Sequence, residues 1–192
     1  MLYLILGLVL FLGVHSVRIV ADDWRTRTIA RIGAGPWKGL YSLLSLLGFL
    51  LIVWGFGQAR MAPLQLWSPL AGMRLLVWLL TLVAFVLLVA AYVPGNHFKA
   101  WVHHPMVLAV QVWALAHLLV NGNLAHVVLF GAFLIWGVAD FSSARQRDRT
   151  GAVRYAPGRW VPTLVTLVVG VLAWAVFAMW LHGWWIGIRV MG

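Results

Sequence analysis

Long apolar runs almost empty of charge decide what this chain can fold into. Six stretches, roughly 2–20, 39–58, 75–93, 105–121, 124–140 and 161–182, are each near the ~20 residues that cross a bilayer, two of them a little short. Only four acids occur in 192 residues (Asp22, Asp23, Asp140 and Asp148), and 64% of the chain is hydrophobic. So few charges do not cover a soluble domain of this size, and the solvent around most of it must be lipid. The connections are too short for a second domain. The expected fold is all-α: a polytopic membrane protein with a single bundle of about six transmembrane helices, residues 1–192 forming one domain.

The net charge of +10 is unevenly spread. Arg18, Arg25, Arg27, Arg31 and Lys38 follow the first span, Lys99 the third, and Arg145, Arg147, Arg149, Arg154 and Arg159 the fifth. These eleven face Arg60, Arg74 and Arg189 on the other side, the positive-inside pattern of a cytoplasmic surface. With those loops cytoplasmic, both termini are expected on the outer side of the membrane. Topology and anionic headgroups account for the basic loops, so membrane lipids and not nucleic acid are the expected partner. The N-terminal run has no basic n-region or small-residue cleavage site and reads as a retained helix. The absence of cysteine excludes disulfides, thiolate zinc sites, cysteine nucleophiles and covalent haem attachment.

Between the spans, Asp22 and Asp23 are expected to end the first helix, and Arg31 to Lys38 to form a loop. Asn121-Gly122-Asn123 is a tight turn that makes spans four and five an antiparallel hairpin. Ser142 to Gly158 reads as a polar loop, partly helical near its start. Trp24, Trp37, Trp67, Trp101, Trp160, Trp184 and Trp185 fall near span ends, as an interfacial belt does. Gly183 and Gly187 match the small-residue spacing for helix contact.

Histidines carry the chemistry. His15, His117, His126 and His182 lie in the apolar runs, where an ionisable side chain is costly and needs a partner or a function. A neutral imidazole there is a ready ligand for a metal or haem, and its alternative is a hydrogen bond to a helix carbonyl. Trp113 and Ala114 lie one turn before His117, leaving a slot for a planar cofactor. His126 and His182 sit near span ends, where ordinary interfacial placement suffices. His103-His104-Pro105 opens the fourth span and is suited to meet a carboxylate, substrate or lipid phosphate; with His97 it also suggests a metal cluster, although no acid is close in sequence. There is no mid-membrane carboxylate, P-loop, G-x-S-x-G or G-x-G-x-x-G.

Taken together, Gly13-Val-His15-Ser16, Gly39-Leu-Tyr41-Ser-Leu-Leu-Ser45, His104-Pro105, Trp113-Ala-Leu-Ala-His117 and Asn121-Gly-Asn123 make the chain resemble the NnrU family of bacterial membrane proteins over nearly its whole length. Relatives of that family include the plant zeta-carotene isomerase. The resemblance implies non-covalent haem b held by His15 and His117, with His104 as the substitute ligand. It also implies an association with nitrite and nitric oxide reduction, with reductase components as partners. The isomerase branch has a cysteine where this chain has Ala114, so a thiolate-exchange mechanism has no counterpart here. Three functions are therefore expected to compete: a haem protein of denitrification, acting as accessory factor or enzyme; a cofactor-free membrane scaffold or assembly factor; and a carotenoid or isoprenoid isomerase-like enzyme. Of lesser weight is an isoprenoid-modifying methyltransferase, suggested by His104-Pro105.

By depth in the bilayer, His15 and His117 are expected about 12 Å apart at 1.5 Å per residue. His15 would then pair more easily with His104.

Overall fold

A computed structural model describes residues 1–69 and 72–190 of the chain. Its helices are α1 Leu2–Val20, α2 Asp22–Ile32, α3 Ala34–Ala59, α4 Met73–Tyr92, α5 His97–Val102, α6 Pro105–Val120, α7 Leu124–Thr150, α8 Trp160–Val176 and α9 His182–Ile186. A π-helical turn, Phe177–Leu181, joins α8 to α9. Lipid offers the backbone no hydrogen bonds, so apolar runs of this length close their own as helices. Among the described residues five helices are long and apolar enough to span a membrane: α1, α3, α4, α7 and the continuous Trp160–Ile186. The shorter α6 is the apolar sixth. The chain is an integral membrane protein built as a bundle of about six helices.

Helix ends follow local chemistry. Pro105 opens α6, where its missing N–H costs nothing. The Asn123 side chain accepts from the His126 N–H at 3.1 Å and caps α7. Asn96 caps α5 and donates to the Ala90 and Val93 carbonyls, so this buried amide is well satisfied. Two local expectations change. Asp22 and Asp23 open a new helix, α2, where carboxylates favour the positive N-terminal end. The expected loop from Arg31 to Lys38 contracts to a break at Gly33, whose φ of 88° a side chain would resist. The polar stretch from Ser142, expected to be partly helical near its start, is helical as far as Thr150, because Arg, Gln and Ala favour helix and no Gly or Pro intervenes before Gly151. Polarity takes that stretch out of the lipid without ending the helix.

The apolar helices pack as a row in the order α3, α1, α7, α6, α4, α8. α1 runs antiparallel to α3, with Gly55 against Leu4, Gly7 against Ile52 and Gly48 against Phe11. A Cβ on Gly7 would lie 2.6 Å from the Ile52 nitrogen, and one on Gly48 2.8 Å from the Phe11 nitrogen. These glycines let the backbones touch, as helices do in lipid. Gly170 does the same against Val86 between α8 and α4. Gly183 and Gly187 do not: Gly187 is a left-handed helix cap, and among the described residues a Cβ on it would meet nothing within 4 Å.

The accessible surface is 11849 Å², against about 9,100 Å² expected for a soluble globular protein of this mass. The excess reflects a thin layer of helices with apolar side chains turned outward, such as Leu50, Ile135 and Leu164. The main buried cluster joins Leu4, Leu8, Ile52, Ala114, Ala125, Leu129 and Phe130, from α1, α3, α6 and α7.

Candidate functional site

The central helix α7 serves as a ruler for the histidines. The His117 ring stacks on Phe130 with centroids 4.5 Å apart. The His15 ring meets Trp136 edge-on at 6.1 Å. His104 lies 6.1 Å from Phe141 and bonds Asp148. The partners of His117 and His15 are six residues apart on α7, a vertical offset of roughly 9 Å. Between these two levels lie the rings of Phe11, Phe133 and Trp113: Phe133 is 5.9 Å from Phe11 and 5.7 Å from Trp113. Phe11 stacks on His15, and Trp113 packs against His117. The structure thus brings His15 and His117 to one aromatic column, at different heights and without mutual contact. His104 lies further along α7, beyond His15.

Hydrogen bonds separate the three by tautomer. The Nδ1–H of His15 donates to the Phe11 carbonyl at 2.7 Å, and that of His117 to the Trp113 carbonyl at 2.8 Å. A carbonyl only accepts, so each neutral ring carries its proton on Nδ1 and keeps a free lone pair on Nε2. This is the arrangement of a metal-ligating histidine, with the second nitrogen fixing the tautomer. His104 is the reverse: its Nε2 is already occupied by Asp148 at 2.8 Å. Among the described residues Trp136 Nε1, on the ring edge-on to His15, and Ser45 Oγ, one turn from Tyr41, are buried without a hydrogen-bond partner; the Tyr41 ring packs 5.2 Å from that of His15. Two unassisted imidazoles and unsatisfied polar atoms near one of them form a donor set chemically suited to haem. For both to reach one iron, the intervening rings must give way.

The histidines at the basic end form a separate cluster. Asp148 accepts from His104 Nε2 and, at 3.1 Å, from the Tyr155 hydroxyl, and lies 3.8 Å from His103 Nδ1. Arg145 donates to His103 Nδ1 at 2.6 Å, and Tyr155 stacks on the His103 ring at 4.0 Å and 12°. Burial, and then the adjacent Asp148 carboxylate, raise the Tyr155 pKa above the ordinary 10.0, which keeps the phenol a donor. His103 holds a φ of 64°, a strained conformation for a residue with a side chain. The acid that seemed missing beside His103-His104 arrives through the fold, from 44 residues away. His97 does not join them: its backbone N–H and ring both bond Thr163 Oγ1. Among the described residues no group of three metal-binding side chains assembles.

His126 bonds Asn123 at the start of α7, and His182 bonds the Ile188 carbonyl, both at the end opposite the basic cluster.

A family model described as NnrU protein matches residues 3–190. The chain belongs to the NnrU family. No curated protein and no solved structure matches it. Within this NnrU chain, Ala114, beside His117 in sequence, is fully buried in the main core cluster. What sequence reasoning missed is Asp148 with Arg145 and Tyr155. The signal was a lone acid in a basic run: Phe141, Arg145 and Asp148 recur at helical spacing on one face, visible only once α7 is carried past residue 141.

Proposed function

We propose that this protein is a haem b-binding protein of the bacterial inner membrane that serves nitrite and nitric oxide reduction as an accessory factor or haem-dependent enzyme, with His15 and His117 as the residues that would hold the haem. The observation that carries this reading is their shared tautomer, with Nδ1 tied to the preceding turn and Nε2 free. Haem b, when bound, would supply a redox-active iron suited to electron transfer. The protein's own part is to orient the two imidazoles, surround them with Phe11, Trp113, Phe130, Phe133 and Trp136, and exclude water. Family membership supports the denitrification role, with nitrite or nitric oxide reductase components as partners. The eleven basic residues gathered at one end support a cytoplasmic basic face and periplasmic termini.

Purification in detergent from cells supplied with haem, followed by oxidised and reduced spectra, tests the reading. A Soret band lost in His117→Ala and His15→Ala but retained in His104→Ala is expected. No Soret band in the parent chain overturns it.

A second reading rests on the packed rings between the two histidines: a cofactor-free scaffold or assembly factor in which His15 and His117 serve only their helix carbonyls. It is favoured if the parent chain is colourless yet co-purifies with a reductase subunit. An isomerase of the carotenoid type finds no thiol in this chain, and no step of that kind is assigned.

A further inference from the structure

A recess of about 310 Å³ opens at the basic end, where the last turn of α4, α5 and the first turn of α6 meet. One wall is polar, formed by Lys99, His103, His104 and Tyr155; the other is apolar, formed by Ala91, Pro105 and Met106. We propose that this recess binds the head of a lipidic phosphate monoester, with the alkyl tail leaving along the apolar wall towards the lipid. The proposal is independent of haem binding.

The hydrogen-bonding capacity of the polar wall selects the head. Lys99 spends one N–H on the Ala91 carbonyl at 3.0 Å and keeps two, with its positive charge. His103 accepts from Arg145 on Nδ1, so its neutral ring carries a proton on Nε2 and donates from there. His104 places Nε2 against Asp148, leaving Nδ1 as an acceptor. The wall therefore offers donors and one acceptor. A phosphate monoester, whose second pKa is about 6, presents acceptor oxygens and, in its monoanion, one O–H. A phosphodiester or an ionised carboxylate has no such proton. Asp148 stays negative while it accepts from His104 and Tyr155, and the Arg145 guanidinium bonded to the neighbouring His103 offsets that charge, leaving the Lys99 charge to the recess.

The backbone supports a binding role. His103 sits at a strained φ of 64°, and its ring is held by the Arg145 bond and the Tyr155 stack. The tail's exit follows from position. The recess lies where the apolar α4 and α6 reach the basic end, and Met106 is 39% exposed on its rim.

The test uses the full chain in neutral maltoside micelles, titrated by calorimetry with dodecyl phosphate, inorganic phosphate and phosphatidylglycerol. The expected result is one dodecyl phosphate per chain, bound at least tenfold more tightly than either of the other two. Lys99→Met and His104→Gln are each expected to weaken it at least tenfold, while Arg74→Met at the opposite end leaves it unchanged. Equal binding of inorganic phosphate overturns the lipidic part of the proposal, and equal binding of phosphatidylglycerol overturns the monoester part. No saturable binding to the parent chain, or undiminished binding by both recess variants, overturns the site. Because the three ligands are compared on the parent chain, a variant that fails to fold leaves the proposal testable.

Discussion

Replacing Gly48 by alanine probes the contact that sets α1, and with it His15, against the rest of the bundle. The new Cβ would lie 2.8 Å from the Phe11 nitrogen, whereas ordinary contact begins at 3.4 Å. The helices must therefore part by about 0.6 Å along a glycine-lined interface that is otherwise in backbone contact. Overpacking of this kind costs roughly 1–3 kcal/mol. Alanine also gains about 0.5–1 kcal/mol over glycine within a helix, which obscures the loss in a single variant. Gly57 removes that ambiguity: it lies in the same helix, and a Cβ there meets nothing within 4 Å. Subtracting the Gly57→Ala effect from that of Gly48→Ala cancels the propensity gain and leaves the steric cost. At about 2–4 °C per kcal/mol for a chain of this size, the two variants should differ in Tm by roughly 2–12 °C. Thermal unfolding in detergent, followed by tryptophan fluorescence at one scan rate, measures it. Equal Tm values for the two variants would refute the close α1–α3 packing.

Other outcomes follow from the same geometry. Because the folded state holds the Tyr155 proton to higher pH than the unfolded chain, its contribution to stability is complete below about pH 10 and lost as pH rises through the raised folded value. Tyr155→Phe should accordingly unfold at lower temperature than the parent at pH 8, and the gap should narrow towards pH 11; a gap that widens contradicts the Asp148 bond. The chain has no cysteine, so single cysteines report sidedness cleanly. On intact cells a membrane-impermeant maleimide should label Ala62→Cys and spare Gly151→Cys, and the opposite pattern reverses the proposed orientation. In the haem test, parent-like spectra in both His15→Ala and His117→Ala would move the ligands elsewhere.

Several features were legible before any coordinates because their causes are local. Run length and the near absence of acid specify membrane helices, and Pro105 marks a helix start through its own backbone chemistry. The basic residues mark one end of the bundle, where Arg147 reaches the Arg18 carbonyl and Arg145 reaches His103. Reading was weakest where polarity stood in for structure. The stretch from Ser142 was read as helical only near its start because it is charged, yet its residues are good helix formers as far as Thr150, and the face that carries Arg145 and Asp148 went unread.

The chain's sequence alone determined that it crosses a membrane about six times, which ends carry charge, and which histidines lie in the apolar runs. Tertiary structure decided which helices touch and therefore which side chains meet. A helix apolar all round carries no stripe to announce its partner. In lipid the choice falls to close backbone approach at residues such as Gly7, Gly48 and Gly55, and to long-range polar bonds such as His104 to Asp148. That packing sets His15 and His117 at separate levels of one aromatic column and gives His104 its carboxylate partner.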